Sequence, residues 1–487
     1  MPFVLLSIYS LALLVLFVFG IYSLVMLIYH RRHRRGGEAA AAQGGSGDAL
    51  PLVTVQLPLY NELHVAERLI DAVCRIDYPR DRLQVQVLDD STDETRALVA
   101  RVVDRKRREG VWIDHLHRRD RAGYKAGALR AGLACAAGEL VAIFDADFLP
   151  LPDFLHRTVH HFGRDARLGM VQGRWEHLNI DYSLLTRLQA ISLDAHFMME
   201  QRLRNREQLF MNFNGTAGVW RAECIRDAGD WQEDTLTEDL DLSYRAQLRG
   251  WRFLFLPDLA VPAELPVEIN GLKSQQFRWT KGAIETARKH VVALWRAKLP
   301  FRVKLHATIH LTSNLSFPCM LLAAVLNIPV LLLKQQHPEL SLWFDLMNLC
   351  VVASVATLAF HVITQRQLRS DWLYRSLLVP FSMMGIMGLA VNNTRAVLEA
   401  LVGRRSPFVR TPKYNIVAGG GAWQASRYRI ARVRPAVIVE LLLLLYFIVA
   451  IGLAVHYAEL SLIPFQLMCL AGFGLTGLLS VRHAWEG

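Results

Sequence analysis

Four short polar segments of this chain carry residue types that could perform group-transfer chemistry. Three of them are rich in carboxylates, which bind hard divalent cations and accept protons. The fourth combines a guanidinium, which binds phosphate oxygens, with an indole that can stack on a sugar. The segments are Leu-Asp-Asp-Ser at 88–91, Phe-Asp-Ala-Asp at 144–147, Thr-Glu-Asp at 237–239 and Gln-Gln-Phe-Arg-Trp at 275–279. Together they predict a site that holds a metal-bound diphosphate and deprotonates an acceptor.

The candidate metal ligands are Asp145 and Asp147, which follow the apolar residues 141–144. If the backbone stays extended there, side chains two residues apart lie on the same side of the strand. Two carboxylates on one side could hold Mg²⁺ or Mn²⁺ against a nucleotide diphosphate, where the cation would stabilise the departing charge. Asp145 would then also contact the donor. A solvated turn is the alternative, because aspartate is common where strands end.

Further residues could bind the rest of a nucleotide diphosphate. Asp89 and Asp90 end a neighbouring apolar run, so their carboxylates would lie near the same site. The Tyr60 ring could stack on a base, and the Glu62 carboxylate offers a polar partner for a nucleoside. Lys125 precedes a helical stretch and lies among small residues, where it could neutralise phosphate charge. These five residues are predicted to bind the donor.

The segment at 237–239 opens a helical stretch and supplies the candidate base. Asp239 could take the proton of an acceptor hydroxyl, with Glu238 and Thr237 completing the catalytic group. The structural alternative is a capping box, in which the Thr237 side chain merely satisfies backbone N–H groups at the start of the helix.

The last segment follows on a predicted helix, where Gln275, Arg278 and Trp279 share one face. Arg278 could neutralise a diphosphate, with Gln275 beside it on the donor side. Trp279 could stack on an acceptor sugar. An amphipathic helix that lies on a bilayer surface is the alternative interpretation.

These segments need a sheet to bring them together, and the sequence indicates one. Short strand patterns occur at 53–57, where Val and Leu alternate with Thr and Gln, and at 83–88 and 140–144. They alternate with helical patterns such as 93–108. This order is typical of a parallel sheet with crossover helices, in which ligands bind at the carboxyl ends of the strands. We therefore predict an α/β domain over residues 50–300.

An apolar run at 3–29 precedes this domain and is long enough to cross a bilayer. A signal peptide is the alternative, but it normally begins with basic residues, and here the arginines follow the run. The arginines at 31, 32, 34 and 35 indicate a cytoplasmic flank. We predict an uncleaved transmembrane helix over residues 1–30 and a flexible linker over 31–49, which is rich in Gly, Ala and Ser.

Residues 301–487 are predicted to form a membrane region. The stretches long and apolar enough to span a bilayer are 307–334, 342–365, 374–396, 436–456 and 461–482. The basic segment 404–434 should be cytoplasmic, so an even number of crossings must separate it from the α/β domain. We therefore assign 374–403 to the membrane interface. A multi-pass protein with five crossings and a cytoplasmic catalytic domain is expected, which in a bacterium would lie in the plasma or inner membrane.

The net charge of +11 raises the question of nucleic acid as a partner. The basic residues concentrate beside apolar stretches, which fits anionic lipid better than a surface that binds nucleic acid. The six cysteines are scattered without a Cys-x-x-Cys motif. We therefore expect no nucleic-acid partner, no disulfide framework and no zinc site.

The four segments, in this order, resemble the D, DxD, TED and QxxRW set of membrane-embedded family 2 glycosyltransferases, the cellulose, hyaluronan and chitin synthase group. Longer strings are similar to the cellulose-synthase-like A branch, the mannan and glucomannan synthases. Among them are Val-Leu-Asp-Asp-Ser-Thr-Asp at 87–93 and Gly-Tyr-Lys-Ala-Gly-Ala-Leu at 123–129. The resemblance covers about residues 50–290. It implies a GT-A nucleotide-sugar-binding domain, Rossmann-like with a mostly parallel sheet, inserted between transmembrane helices.

Two further matches extend this resemblance. Phe-Asn-Gly-Thr-Ala-Gly-Val-Trp-Arg at 213–221 resembles the same branch, which implies that Asn214, Gly215 and Thr216 bind the acceptor beside Trp279. Phe-Val-Arg-Thr-Pro-Lys at 408–413 resembles the FxVTxK gating loop of bacterial cellulose synthase, which covers the bound nucleotide sugar in that family.

In this gating-loop-like segment Phe408, Thr411 and Lys413 match the family and are therefore expected to bind the donor. Arg410 stands where the family has valine.

The resemblance implies an inverting, metal-dependent hexosyltransferase that elongates a β-linked polysaccharide and moves it across the membrane. The donor would be GDP-mannose or UDP-glucose, and the product a β-1,4-mannan, a glucomannan or a cellulose-like glucan. Partners would be the donor, the growing glycan, the lipid bilayer and envelope or accessory proteins.

Two alternatives stay open on the sequence. One is a non-processive enzyme that adds a single sugar to a lipid, as ceramide glucosyltransferases do. The other is a transporter or lipid-binding protein with structural acidic turns. Nothing in the sequence distinguishes guanine from uracil in the donor.

Overall fold

The computed structural model describes residues 2–35, 50–347, 349–417, 420–421, 423–424, 426–430 and 435–485. Most of the predicted linker lies outside the described residues, because 36–49 are not among them. The same holds for residues 431–434 at the end of the predicted basic segment.

Seven strands of the described chain form one mixed sheet in the order β3-β2-β1-β4-β6-β5-β7. Strand β6 is antiparallel to both of its neighbours, and the other neighbouring pairs are parallel. The strands are β1 (Val53–Leu59), β2 (Leu83–Asp89), β3 (Ile113–His117), β4 (Leu140–Ile143), β5 (Leu168–His177), β6 (Gly218–Arg221) and β7 (Arg252–Ala263). The predicted α/β class and the mostly parallel sheet are confirmed.

Apolar side chains cover both faces of this sheet. Along β4, Ala142 belongs to one hydrophobic cluster, whereas Val141 and Ile143 belong to another. Because successive side chains of a strand point to opposite faces, the two clusters are separate cores on the two sides of the sheet. Burial on both faces is typical of a largely parallel sheet.

The polar residues that alternate along β1 are buried as well. Thr54 Oγ1 donates to Gln84 Oε1 at 2.8 Å, and Gln56 Nε2 donates to Gln86 Oε1 at 3.0 Å. Alternation often marks a face toward solvent, but here these side-chain hydrogen bonds between β1 and β2 take the place of water.

The N-terminal helix α1 (Pro2–Arg35) continues beyond its predicted end at residue 30, so the first part of the predicted linker is helical. The α/β part then contains the following helices: α2 (Ala66–Val73), α3 (Thr95–Arg108), α4 (Tyr124–Ala134), α5 (Phe154–Arg164), α6 (Leu184–Ala195), α7 (Arg202–Arg206), α8 (Ala222–Asp227), α9 (Glu238–Leu248) and α10 (Ile269–Arg296). A π-helical turn, His196–Gln201, joins α6 to α7.

The C-terminal part is helical. Its helices are α11 (Phe301–Thr312), α12 (Ser316–Val325), α13 (Asn327–Gln336), α14 (Ser341–Met347), α15 (Cys350–Leu368), α16 (Trp372–Gly388), α17 (Ala390–Leu401), α18 (Ala436–His456) and α19 (Ile463–Trp485). The predicted stretch 307–334 therefore falls on three helices, of which α11 and α12 are joined through a 3-10 turn, Ser313–Leu315, into one helical segment. Pro318 and Pro329 lie in the first turns of α12 and α13. Proline is tolerated there, because the N–H groups of a first turn have no partner within the helix, whereas inside one longer helix it would remove a hydrogen bond.

Five helical segments of the described chain are long and apolar enough to cross a membrane: Phe3–His33, Phe301–Val325, Pro338–Leu368, Ala436–His456 and Leu460–Trp485. A sixth arises if the bent pair α16 and α17, which meet at 46°, is counted as one span. The bend falls inside 374–403, the region assigned to the interface. The number of crossings stays a prediction.

Helix α10 connects the sheet to the C-terminal helices, among them candidate membrane spans, through two buried ion pairs. Lys273 Nζ lies 2.6 Å from Glu440 Oε2 of α18, and Lys281 Nζ lies 3.3 Å from Glu399 Oε2 of α17. Lys281 also donates to Ser406 Oγ at 2.5 Å. The helix that carries 275–279 is therefore fixed on its membrane side.

Candidate functional site

A cavity of about 190 Å³ opens at the carboxyl ends of β1, β2 and β4, and we call it the strand-end cavity. It brings together most of the residues predicted from sequence: Tyr60, Glu62, Asp90, Lys125, Asp145, Asp147, Asn214, Gly215, Thr237, Glu238, Asp239, Gln275, Arg278, Trp279, Phe408, Thr411 and Lys413. Residues from distant parts of the chain thus meet where open α/β sheets bind ligands.

The two aspartates at 145 and 147 lie on a turn rather than on an extended strand. Strand β4 ends at Ile143, and the Phe148 N–H donates to the Asp145 carbonyl at 3.0 Å. The condition of an extended backbone, on which the argument for one shared side rested, is therefore not met. Both side chains nevertheless line the strand-end cavity.

Each of these carboxylates is neutralised by a lysine. Lys125 Nζ lies 2.5 Å from Asp145 Oδ1, and Lys413 Nζ lies 2.7 Å from Asp147 Oδ2. Although burial lowers the pKa of Lys125, the charges of Asp145 and Glu238 raise it above its ordinary value. The two lysines therefore carry positive charge into the cavity.

The aspartate pair suits a hard divalent cation in combination with phosphate. The described residues contain no group of three or more His, Cys, Asp or Glu side chains arranged to hold a metal. Mg²⁺, however, is often bound by one or two carboxylates, substrate phosphates and water. Asp145 and Asp147 fit that arrangement, provided that Lys125 or Lys413 moves from its carboxylate toward the phosphates.

Asp89 and Asp90 at the end of β2 differ in their surroundings. Asp90 lines the cavity, but Arg118 donates to both of its oxygens, at 2.8 and 2.5 Å. Asp89 is fully buried, accepts from the Ser91 N–H at 2.8 Å and lies 2.9 Å from His115 Nε2. Asp89 does not line the cavity, so its predicted contact with the donor disagrees with its position, and it shapes the turn instead.

The candidate base lies at the start of α9. Burial, followed by the charge of neighbouring Glu238, raises the pKa of Asp239 to about 7, and Lys125 opposes the rise. Burial also raises the pKa of Glu238. A carboxylate with a raised pKa is a stronger proton acceptor than an ordinary aspartate.

Thr237 precedes the helix, but its side chain makes no capping hydrogen bond. Its hydroxyl lies 3.4 Å from that of Thr286 on α10 instead. The capping-box alternative for 237–239 is therefore wrong.

The turn before β6 places backbone against the base. Gly215 has φ +81°, and a Cβ atom there would lie 3.0 Å from Asp239 Oδ2 and 3.4 Å from Lys125 Nζ. Glycine is needed for both reasons. Thr216, in contrast, is buried outside the cavity, where its Oγ1 accepts from the Asp145 N–H at 2.9 Å. The predicted acceptor contact of Thr216 thus disagrees with its position, and it supports the aspartate turn.

Helix α10 presents the predicted face. Arg278 Nη2 donates to Thr411 Oγ1 at 3.0 Å, and its guanidinium carbon lies 4.5 Å from the centre of the Phe408 ring. The Trp279 ring centre lies 6.4 Å from that of Trp175 on β5. Gln275, Arg278 and Trp279 all line the cavity, as their spacing predicted.

The gating-loop-like segment 408–413 lies over the cavity. Phe408 stacks on Tyr124 with ring centres 5.8 Å apart, and Arg410 Nη1 lies 2.8 Å from Glu62 Oε2. Behind it, the Glu264 carboxylate accepts from the backbone N–H groups of Tyr414, Asn415 and Ile416 at 2.8, 2.9 and 3.3 Å.

Sequence reasoning missed Glu264, Trp175 and Arg121. Each lies outside the four polar segments and shows no distinctive spacing, although Arg121 is only four residues before Lys125, so its position became visible only in the fold.

A second cavity of about 510 Å³, which we call the membrane-side cavity, adjoins the first. The residues that line both are Trp175, Leu193, Asn214, Thr237, Asp239, Gln275 and Trp279. From there it extends past His196 and Glu200 of the π-helical turn to Tyr22 of α1, Ser382 of α16 and Thr476 of α19. The candidate base therefore lies where a strand-end cavity meets a cavity among membrane-type helices.

Comparison with known proteins gives a consistent result. Residues 51–282 match the family model described as Glycosyltransferase like family 2. Glucomannan 4-beta-mannosyltransferase 7 of Arabidopsis thaliana is 47% identical over 258 residues, which cover 50% of this chain and 46% of the relative. Glucomannan 4-beta-mannosyltransferase 1 of Oryza sativa subsp. japonica is 40% identical over 298 residues, which cover 58% and 57%. The chain spans about half the length of these curated relatives.

A solved structure shows the same fold. It is the mannosyltransferase PcManGT from Pyrobaculum calidifontis in complex with GDP-Man and Mn²⁺, with a TM-score of 0.53 and 21% identity. The match covers 82% of this chain and 100% of that chain.

Proposed function

We propose that this chain, whose residues 51–282 belong to glycosyltransferase-like family 2 and adopt the GT-A fold, is an inverting glycosyltransferase that elongates a β-linked polysaccharide. The proposed donor is GDP-mannose, with UDP-glucose as a second donor, and the proposed product is a β-1,4-mannan or glucomannan. The names of the relatives support this choice. The observation that carries the proposal is the meeting of the two cavities at Asp239 and Trp279.

The donor diphosphate would bind among the cationic side chains of the strand-end cavity. Lys125 and Lys413 each hold one aspartate of the turn at 145–147, and Arg278 lies beside them against Phe408. These three charges can neutralise the phosphates as the sugar leaves. A divalent cation held by Asp145 and Asp147, Mg²⁺ or Mn²⁺, would supply further stabilisation of the leaving diphosphate.

Transfer itself needs one base. An acceptor hydroxyl oxygen would attack the anomeric carbon as the bond from that carbon to the diphosphate breaks, and the hydroxyl proton would pass to Asp239. A single displacement inverts the configuration, from an α-linked donor to a β-linked product. The raised pKa of Asp239 suits this step, because a more basic carboxylate takes the proton more readily.

The membrane-side cavity would hold the growing chain. Trp279 and Trp175 lie at its entrance, where aromatic faces can stack on successive sugar rings. Its far end is lined by α1, α16 and α19, which supports passage of the product between the membrane helices. The arginines at 31 and 32, at the end of α1, support a cytoplasmic catalytic domain.

The experiment is a donor and product survey with the purified full-length chain in detergent. Labelled GDP-mannose and UDP-glucose are supplied with Mg²⁺, Mn²⁺ or a chelator, and the products are sized and digested with endo-β-1,4-mannanase. We expect a cation-dependent, mannanase-sensitive polymer from GDP-mannose. Label found only in a solvent-extractable lipid would favour the non-processive lipid glycosyltransferase and contradict the proposal.

A further inference from the structure

An unassigned arginine occupies one end of the strand-end cavity. The guanidinium carbon of Arg121 lies 3.3 Å from the centre of the Tyr60 ring, 5.0 Å from that of Tyr124 and 5.9 Å from that of Phe408. Tyr60 follows β1, and Arg121 precedes α4. A flat cation thus lies on the ring where a flat nucleobase would stack, at the end of the cavity beyond the aspartate turn.

This guanidinium has unused hydrogen-bonding capacity. The Nε atom of Arg121 is buried and has no hydrogen-bond partner among the described residues. A buried N–H without a partner is costly, so a ligand that supplies an acceptor would be favoured at this place.

The acidic groups nearby are engaged with other arginines. Arg118 donates to both oxygens of Asp90, and Arg410 lies 2.8 Å from Glu62. Donors from Arg121, rather than free acceptors, are therefore the hydrogen-bonding groups that this end of the cavity offers to a base.

The nucleobases differ in how they match such donors. Guanine presents two adjacent acceptors, O6 and N7, and a guanidinium can bind both in a bidentate pair. Adenine replaces O6 by an amino donor, and uracil, like thymine, has a single acceptor, O4, along the corresponding edge. Of these bases, guanine matches the donor set of Arg121 best.

We propose that Arg121 selects guanine in the donor by moving from the face of Tyr60 to the O6 and N7 edge of a base stacked on that ring. The inference rests on the proposed function, since it concerns the nucleotide of the same donor. It names a residue that would distinguish guanine from uracil, a choice that the sequence alone left open.

The test measures nucleotide binding rather than turnover. The full-length chain in detergent with Mg²⁺ is titrated calorimetrically with GDP, 7-deaza-GDP, IDP and UDP. IDP keeps O6 and N7, whereas 7-deaza-GDP lacks N7 and UDP lacks the paired acceptors. We expect GDP and IDP to bind alike and both to bind about tenfold more tightly than 7-deaza-GDP and UDP, the scale of one lost base contact.

Two variants identify the residue responsible. Arg121→Met removes the donors, and Arg121→Lys keeps the charge but not the bidentate fork, so both should bind GDP and 7-deaza-GDP equally while UDP binding is unchanged. Arg119→Met, at an exposed neighbouring arginine, is the matched control and should keep the preference for GDP.

Equal binding of GDP and 7-deaza-GDP by the unaltered protein would overturn the inference. Equal weakening of all four nucleotides in Arg121→Met would also overturn it, because the residue would then act on phosphate or on folding. Polymer synthesis without base discrimination would leave the proposed function intact and remove only this inference. Guanine selection through Arg121 without any polymer would support this inference and contradict the proposed polymer synthesis.

Discussion

At the scale of single residues, the environment of Asp239 determines what it can do. A solvent-exposed aspartate has a pKa of about 4 and is a poor base toward a hydroxyl. Here burial and Glu238 raise the pKa to about 7, while Lys125 limits the rise. The position of Asp239 in the polar pattern could be predicted from sequence, but its basicity could not, because it arises from burial.

The raised pKa leads to a specific dependence of rate on pH. Only ionised Asp239 can accept a proton, so the rate should rise as pH increases through about 7. We expect kcat/KM to increase roughly tenfold between about pH 6 and about pH 8. Donor binding, measured over the same range, is the control and should change little. A flat rate profile would show that a group other than Asp239 takes the proton.

Removing the base should abolish most turnover without removing the substrates. Asp239→Asn keeps the size of the side chain but cannot take a proton, and loss of general-base help costs about 10²- to 10⁴-fold in rate. Calorimetric binding of GDP should persist in this variant. Asp234→Asn, at an exposed aspartate paired with Lys289, is the matched control and should remain active. A fully active Asp239→Asn enzyme would refute the assignment.

The indole at position 279 should act on the acceptor. Trp279 lines both cavities, so Trp279→Ala should shorten or abolish the polymer while donor binding is retained. Product length and nucleotide affinity are measured together. Trp295→Ala, at an exposed tryptophan on the same helix, is the control. Equal loss of nucleotide binding in Trp279→Ala would place the indole in the donor site or the core instead.

At the scale of elements, α10 brings Gln275, Arg278 and Trp279 to the strand-end cavity, and its other contacts hold it against α17 and α18. Lys273 on α10 and Glu440 on α18 form an ion pair in which both side chains are almost fully buried. Leaving one buried charge unpaired typically costs about 3–5 kcal/mol, whereas replacing both by apolar residues is often neutral. The pair therefore connects the helix that carries Arg278 to α18, a candidate membrane span.

We expect Lys273→Met to lower the thermal unfolding midpoint in detergent, because Glu440 is left buried without its partner. The double variant Lys273→Met with Glu440→Leu should recover most of the loss. A control at the exposed pair of Arg249 and Asp227, Arg249→Met, should have little effect. If the single and double variants are destabilised equally, the ion pair does not connect these two helices.

Element types could be predicted from the sequence better than element ends. The strands that precede Tyr60, Asp90 and Asp145 were visible as alternating or apolar strand patterns, and the family resemblance implied the GT-A fold, which is confirmed. The turn at 145–147 and the breaks before α12 and α13 were not predicted, because each depends on local backbone geometry or on proline positions inside otherwise apolar stretches. Asp89 and Thr216 were placed in the site, since sequence does not show which of two neighbouring polar side chains points inward.

At the scale of the whole molecule, the main feature is that the strand-end cavity and the membrane-side cavity adjoin. The sequence could predict an α/β domain between apolar helices. It could not predict that a cavity in each would meet at Asp239 and Trp279. The membrane-side cavity is lined by segments hundreds of residues apart, with Tyr22 near the N-terminus and Thr476 near the C-terminus among its residues. Under the proposed function, the meeting of the two cavities would let the growing chain pass from Asp239 into the membrane-side cavity.

The most direct measurement of this central claim is the location of the product in sealed vesicles. The full-length chain is reconstituted, labelled GDP-mannose is added outside, and the polymer is challenged with endo-β-1,4-mannanase before and after detergent. Because the donor cannot cross the bilayer, only molecules with an outward-facing catalytic domain can act. We expect a β-linked polymer that resists the enzyme until detergent opens the vesicles. A polymer that is fully digested outside, an α-linked product, or label confined to lipid would contradict the account.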